Sequence, residues 1–452
     1  MIQQFVNRKK ELEFLERKYS EDTPNLIVIY GKRRVGKTEL IKNFIQKKKG
    51  TYILSTRDSI KENIKEIKQK FFELTGKEYF LKLETNSYYD LFKYLAEEIK
   101  EAKQIIVIDE YSYLIELDRG IVSVFQKIWD EILANTKITL ILCGSSIGMM
   151  KTEVLEYKSP LYGRRTGEWK VEPLKFRDIR HFFKNYNTKN LMKIWSVCGG
   201  TPYYLSKMNP DLSVEENIKR NILTKGEVLY NEPRVLLKEE FREPRIYTLI
   251  LKYLSLGCTT PGELCTATGI EKGNLSKYLS VLEETHIVKY VLPLGQRKRG
   301  IYVIDDRFFN FWFRFVYPNL SDLEIGLIDE VLSRITKEID AYYGLSFENL
   351  VFEKIQHKEI AQLQFNEVRR WWYKDKEIDI VAINETAKEI LFCECKWKDN
   401  VNPKRILYEL KEKSKSVQWN NGIRKEYYAI FAKSFKEKIK EQDVMLFDLG
   451  DL

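Results

Sequence analysis

The sequence predicts an α/β chain of several domains, opened by a parallel-sheet core. Three observations carry that expectation. β-Branched apolar runs (Leu26–Tyr30, Gln104–Ile108, Ile138–Cys143) alternate with helical stretches and end in Gly, Asp-Glu and Gly-Ser. The octapeptide Gly31–Thr38 (GKRRVGKT) directly follows the first run. A second strand-rich block, from Glu377 to Trp397, appears after a long helical stretch. At 452 residues there is room for two to four cores.

The octapeptide has the Gly-x-x-x-x-Gly-Lys-Thr spacing of a phosphate-binding loop between a strand and a helix. Gly31 and Gly36 let the backbone fold around an anion, with Arg34 and Val35 between them presenting N–H groups and Glu39 in the helix's first turn. Lys37 is placed to reach the β- and γ-phosphates, and the Thr38 hydroxyl to ligate Mg²⁺. The helix N-terminus adds its positive dipole. The expected cofactors are therefore ATP and Mg²⁺.

Two carboxylates end the run Gln104–Ile108. Asp109, at the tip of a buried parallel strand, can hold the metal's water shell, and Glu110 can act as general base on the attacking water. Gly144-Ser145-Ser146 ends the run Ile138–Cys143, where a small polar group such as Ser145 can sense the γ-phosphate. The same tripeptide is also ordinary turn chemistry. A further strand, Thr51–Ser55, lies between the loop helix and Asp109 and points to the additional-strand division of P-loop ATPases. Arg164 follows in Leu161-Tyr162-Gly163-Arg164-Arg165. It reads either as an arginine finger for a neighbouring subunit, which requires a homo-oligomer, or as a surface pair.

Phe5-Val6-Asn7-Arg8, the octapeptide, Ile108–Tyr111, Leu161–Arg164 and Gly199–Leu205 (GGTPYYL) together resemble the archaeal-type P-loop ATPases, AAA+/STAND-related proteins found also in bacteria. The resemblance covers roughly the first 320 residues. It implies that Asn7 and Arg8 lie near the nucleotide base, that Phe176–Phe241 forms a helical lid, and that the Gly-Gly-Thr-Pro turn supplies a lid contact. No lid arginine of the usual second-sensor kind stands out.

Residues Arg245–Val303 have winged-helix order: helix, short helix, longer helix from Lys272, then two strands around Gly295–Arg299. Lys272, Asn274, Ser276 and Lys277 stand near the N-terminus of the third helix, the end that meets base edges in such domains. Arg297, Lys298 and Arg299 make a basic wing tip. DNA, rather than RNA, is the expected partner, and protein docking is the alternative use of such a module. The aromatic run Phe308–Phe315 is spaced as core.

In the last block, strand period 2 places Glu394 and Lys396 on one face, and Asp379 on a partner strand can join them. Asp379 and Glu394 can hold Mg²⁺ while Lys396 orients or activates a hydrolytic water. Glu348, from a preceding helix, is an additional carboxylate. The order Glu, Asp, Glu-x-Lys resembles the PD-(D/E)xK nuclease fold, and also the nuclease-like domain of unknown function appended to archaeal-type ATPases. A salt bridge completing a strand face is the plain alternative.

The expected domains are an ATPase core over 1–174, a helical lid over 175–240, a winged helix over 241–318, a helical connector over 319–343 and a restriction-endonuclease-like α/β domain over 344–452. The net charge of +10 permits a nucleic-acid partner. Met1–Lys10 has no apolar leader, and the longest apolar run is too short to span a bilayer, so a cytoplasmic location without membrane contact is expected. Six cysteines without metal-type clustering argue against structural zinc and a disulfide framework. The leading functional expectation is an ATP-hydrolysing, DNA-binding protein that controls a C-terminal nuclease. The second is a STAND-like ATP switch whose C-terminal domain is inactive and only binds nucleic acid or a protein.

Overall fold

The computed structural model describes residues 5–99, 102–360, 362 and 364–452. The chain divides into two compact units: Met1–Leu174 with Thr201–Tyr203, and Lys175–Gly200 with Tyr204–Leu452.

The first unit is built on five strands: β1 (Asn25–Tyr30), β2 (Gly50–Leu54), β3 (Gln104–Asp109), β4 (Ile138–Gly144) and β5 (Gly167–Lys170). Their order is β2-β3-β4-β1-β5, and every neighbouring pair is parallel. Both faces are buried, as an all-parallel sheet requires. Along β1, Leu26, Val28 and Tyr30 pack into one core cluster while Ile27 and Ile29 pack into the other. The strand inserted between the phosphate-loop strand and the Asp109 strand is β4. The further strand expected around Thr51 forms β2, at the sheet edge. Its half-exposed alternation shows the edge position, whereas β4 is buried throughout.

The loop after β1 turns sharply into the helix Lys37–Ile45, with Arg34 at φ +70° and Gly36 at φ +91°. Gly31 is demanded by space. A Cβ there would lie 2.4 Å from the Val171 carbonyl oxygen, because Val171 N–H bonds Tyr30 O at 2.7 Å and holds the chain after β5 against the loop.

In the second unit, helices Thr188–Cys198, Val214–Ile218 and Val228–Glu240 precede a winged helix-turn-helix. Its helices are Pro244–Ser255, Pro261–Thr268 and Lys272–Glu284, followed by antiparallel strands β6 (Val288–Val291) and β7 (Ile301–Ile304). A Thr260–Glu263 capping box starts the second helix and Gly269, at φ +71°, stops it. Leu275, Leu279 and Leu282 bury one face of the third. Phe308, Phe309, Phe311, Trp312, Phe313 and Phe315 are all buried, and Trp312 Nε1 donates to Tyr230 O at 2.8 Å. This aromatic run is core.

The connector and the start of the last domain are one helix, Ile328–Gln356, so a boundary at residue 344 falls inside it. Gly344 costs about 1 kcal/mol of helix propensity. Buried Val331, Ile335, Ile339, Tyr343, Phe347 and Val351 carry the apolar stripe through it, and packing overrides the local preference. The helix leads into a second five-stranded sheet of β8 (Glu367–Tyr373), β9 (Lys376–Asn384), β10 (Glu389–Lys396), β11 (Lys425–Ala432) and β12 (Val444–Phe447). The order is β12-β11-β10-β9-β8. β8–β9–β10 is an antiparallel meander, and the helix Pro403–Ser414 crosses over to parallel β11. Among the described residues, no helix is long and apolar enough to cross a membrane.

Gly31→Ala is expected to lower the stability of the first unit by about 1–3 kcal/mol, because the backbone of Val171 cannot yield cheaply. Thermal and denaturant unfolding measure it, and an unchanged midpoint removes the close-approach argument.

Candidate functional site

The first unit gathers its chemistry at the C-terminal edge of its sheet, where α/β folds place ligands. Lys37 begins the loop helix and is 6% exposed. Its Nζ donates to Gly31 O at 2.8 Å and Lys32 O at 3.0 Å, which fixes the ammonium in the loop. Burial lowers its pKa, opposed by nearby Cys143, Glu110 and Asp109. Thr38 Oγ1 donates to Asp109 Oδ2 at 2.8 Å. The same oxygen accepts from the Tyr52 hydroxyl at the edge of the sheet, while Oδ1 accepts Glu110 N–H at 2.9 Å. Burial, then the Asp109 charge, raise the Tyr52 phenol's pKa and keep it a donor. Glu110 has φ +52°, and its Oε2 accepts from Ser145 Oγ at 2.5 Å. A hydroxyl and a carboxylate held together at the loop helix suit a hydrated Mg²⁺, which takes few protein ligands.

Arg8 is 6% exposed, at φ +77°, and braces the loop from behind. Its guanidinium donates to Val35 O and Glu172 O, both at 2.7 Å, and to Glu11 at 3.0 Å. Asn7 is exposed beside it, and Glu39 is half-buried in the first helical turn. Arg34 lies 4.2 Å from the Tyr203 ring centroid, so the Pro202–Tyr203 turn stands against the loop. Arg164 is engaged within its own unit. Its Nε bonds both Asp130 oxygens, at 2.8 and 2.9 Å, and Nη1 donates to Pro160 O at 2.9 Å.

In the second unit Lys272, Asn274, Ser276 and Lys277 are exposed on the third helix, as are Arg297, Lys298 and Arg299 on the wing. The base of the wing is anchored. Leu294 N–H donates to Arg370 O at 2.8 Å, and the Leu294 side chain joins the core of the C-terminal sheet.

Asp379, Glu394 and Lys396 meet across β9 and β10. Ladder pairing stops at Cys393 opposite Ile380. Beyond it the Asp379 carboxylate takes the free Cys395 N–H, at 2.7 Å. Lys396 Nζ lies 2.9 Å from Glu394 Oε1 and 4.0 Å from Asp379 Oδ2. Lys413, from the crossover helix, also reaches Glu394 Oε1 at 2.9 Å. Glu394 Oε2 is buried with no hydrogen-bond partner. Glu348 comes in from the long helix and lies 3.4 Å from Arg370 Nη1. Burial, with Glu394 and Glu348 nearby, pushes Asp379 up to about 7. Burial also raises Glu348, against the pull of Arg370. Burial opposes the charge on Lys396, but Asp379 and Glu394 outweigh it and hold its pKa above the ordinary value. The lysine is therefore held in its charged form between the two carboxylates. Among the described residues, no group of three or more His, Cys, Asp or Glu side chains is placed to hold a metal ion. Any cation at Asp379 and Glu394 would complete its shell with water and phosphate oxygens, as Mg²⁺ does.

Sequence reasoning missed Tyr52, Tyr203, Arg370 and Lys413. The two tyrosines look like ordinary strand and turn residues, and a lysine on a helix carries no signal in a chain with 76 Lys and Arg.

Comparison with known proteins bears on each part. Residues 5–208 match the ATPase domain predominantly from Archaea. Residues 248–290 match the bacterial regulatory proteins of the arsR family, and 312–415 match the archaeal and bacterial proteins of unknown function that form a separate domain family. The uncharacterized protein MJECL04 of Methanocaldococcus jannaschii is 35% identical over 455 residues, covering 99% of both chains. The uncharacterized ATP-binding protein MJ0423 of the same organism is 67% identical over 48 residues, 11% of this chain and 81% of that protein. Among solved structures, the Walker-type ATPase PABY2304 of Pyrococcus abyssi aligns with 69% of this chain and 96% of its own, at 23% identity and a TM-score of 0.49. The chain thus belongs to the family of the Methanocaldococcus jannaschii protein MJECL04, and it carries a P-loop ATPase domain of the archaeal kind ahead of a helix-turn-helix and a C-terminal domain of unknown function.

Proposed function

We propose that this ATPase binds DNA through its winged helix and cleaves nucleic acid at Asp379, Glu394 and Lys396 under the control of its nucleotide. One observation carries the cleavage reading: two buried carboxylates and a protonated lysine converge from adjacent strands, with Glu394 Oε2 left without a partner. A buried, unpaired carboxylate oxygen is costly unless a cation meets it. The domain's element order is α-β-β-β-α-β-β, and its Glu, Asp, Glu-x-Lys order resembles that of the PD-(D/E)xK nucleases.

In the ATPase unit, Thr38 and Asp109 would hold Mg²⁺, which when bound neutralises charge on the β- and γ-phosphate oxygens. Lys37 supplies a fixed positive charge to the phosphates, and the loop N–H groups complete the cradle. Glu110 accepts the proton of the attacking water once its carboxylate is released from the Ser145 hydroxyl. The Arg8 brace holds Val35, so this residue positions the loop. The bifurcated bond from Arg164 Nε to both Asp130 oxygens supports a structural part for this arginine.

In the C-terminal domain Asp379 and Glu394 would hold a divalent cation, which when bound polarises the phosphodiester and the attacking water. Lys396 orients that water and offsets developing charge, while Glu348 adds negative potential at the rim. A second reading is favoured by the two lysines on Glu394 Oε1. In it the cluster is a clamp within the sheet, and the chain is a STAND-like switch whose last domain only binds.

Lys37→Ala and Glu110→Gln should each lower ATP turnover by at least about 100-fold; turnover within a few-fold of the wild type sinks the ATPase assignment of those residues. With Mg²⁺ or Mn²⁺ and ATP, the protein should nick DNA, and Asp379→Ala or Lys396→Ala should reduce nicking by at least about 100-fold. No nicking by the wild type, or equal nicking by both variants, leaves the switch reading. Neutralising Arg297, Lys298 and Arg299 together should weaken duplex binding and lower its salt slope by about 3; an unchanged slope removes the wing as the contact.

Asp379 also makes a stability prediction in EDTA. Its folded pKa lies above the ordinary 3.8, so its protonated form stabilises the fold at acid pH and that contribution is lost as pH rises through about 7. Asp379→Asn should therefore raise the melting temperature relative to the wild type at pH 8 and much less at pH 4. A pH-independent difference contradicts the buried like-charge cluster.

A further inference from the structure

The second unit contains a cavity of about 620 Å³ that no part of the proposed chemistry uses. Its walls come from the end of the first winged-helix helix, from β6 and β7, from the Arg307–Arg314 segment, from the long helix and from the β8–β9 hairpin. Six cations face it: Lys289, Arg307, Arg314, Arg370, Lys374 and Lys376. Three are matched by neighbouring acids: Lys289 by Asp305 and Arg307 by Glu353, each at 2.7 Å, and Arg370 by Glu348 at 3.4 Å.

Arg314 is different. Its Nε is buried with no hydrogen-bond partner, and among the described residues no carboxylate forms an ion pair with it. Its nearest ring contact is Phe315, 5.6 Å from guanidinium to centroid. A planar guanidinium with an unused donor in a basic cavity fits a phosphate. Trp372 lines the same cavity, half-buried, while its neighbour Trp371 points into the sheet core. An indole face beside a row of cations is the pairing that single-stranded nucleic acids use.

The position of the cavity matters as well. Glu377 lines it, and Asp379 lies two residues further along the same strand face, about 7 Å away. Arg370 also lines it and touches Glu348 of the carboxylate cluster. The base of the wing is bonded to that same Arg370. The volume falls within the about 300–1,000 Å³ of pockets that enclose small ligands. A double helix is too wide to enter, whereas one or two unpaired nucleotides fit.

We infer that this cavity holds a single-stranded segment of DNA next to the bond presented to Asp379 and Glu394, with a phosphate on Arg314 and a base on Trp372. The location of the bond rests on the cleavage reading above; binding of the strand does not. The favoured substrate is then a duplex with a frayed, flapped or single-stranded end, its paired part on the wing and its unpaired part in the cavity.

The test is fluorescence anisotropy of the full-length protein in EDTA with a labelled oligothymidylate of about ten nucleotides, beside a blunt duplex of mixed sequence. Arg314→Ala and Trp372→Leu should each weaken the single strand about tenfold or more and leave duplex affinity and ATP turnover unchanged. Arg314→Lys should recover part of the loss. Should Arg314→Ala fail to fold, as judged by circular dichroism, the half-exposed Trp372→Leu carries the test. Wild-type affinity in Trp372→Leu overturns the inference, as does equal loss for single strand and duplex. Displacement of the oligonucleotide by an equimolar amount of thymidine monophosphate also overturns it and assigns the cavity to a free nucleotide. If the wild type never cleaves yet single-strand binding depends on Arg314 and Trp372, the nuclease reading fails alone and the cavity stands.

Discussion

The Asp109 carboxylate is the constraint on which the ATPase unit depends. One oxygen takes the Thr38 hydroxyl of the loop helix and the Tyr52 hydroxyl of the edge strand, and the other caps the Glu110 N–H. The loop helix, the sheet edge and the strand end that bears Glu110 are thereby tied to one buried group, 1% exposed. A buried carboxylate must be saturated with donors or paired with charge. Here the saturation also sets the spacing between Lys37, Thr38 and Glu110. Arg8 does the same for the far side of the loop by bonding the Val35 carbonyl.

The C-terminal cluster has the opposite character. Asp379, Glu394 and Glu348 repel one another, and burial denies them water. Lys396 and Lys413 compensate only one oxygen of Glu394. Such a site is unfavourable for the fold by itself, and a local conflict of that kind is expected where function imposes it. The neighbouring cavity repeats the theme with the sign reversed, since the Nε of Arg314 is buried without a hydrogen-bond partner.

Much of this was legible in the primary structure because it depends on short-range rules. The octapeptide Gly31–Thr38 and the Asp109-Glu110 pair each declare a backbone geometry within a few residues. Glu394 and Lys396 share a face because they are two apart on a strand. Errors arose where packing outweighed local preference. Gly344 looks like a break and lies inside a helix of 29 residues. The run around Thr51 reads as a strand and is one, but its edge position comes from the fold, since apolar content says nothing of strand order.

By itself the amino-acid order determined the elements, their sequence along the chain and the residue types offered to phosphate, because periodicity and turn chemistry act over a few bonds. The tertiary structure decided which of those groups have partners. Only the fold brings Tyr52 to Asp109, Lys413 to Glu394 and the wing base to Arg370, and only the fold leaves Glu394 Oε2 and Arg314 Nε without one. Pairing and burial depend on neighbours dozens to hundreds of residues away, and it is the balance of desolvation against those neighbours that gives each charge its role.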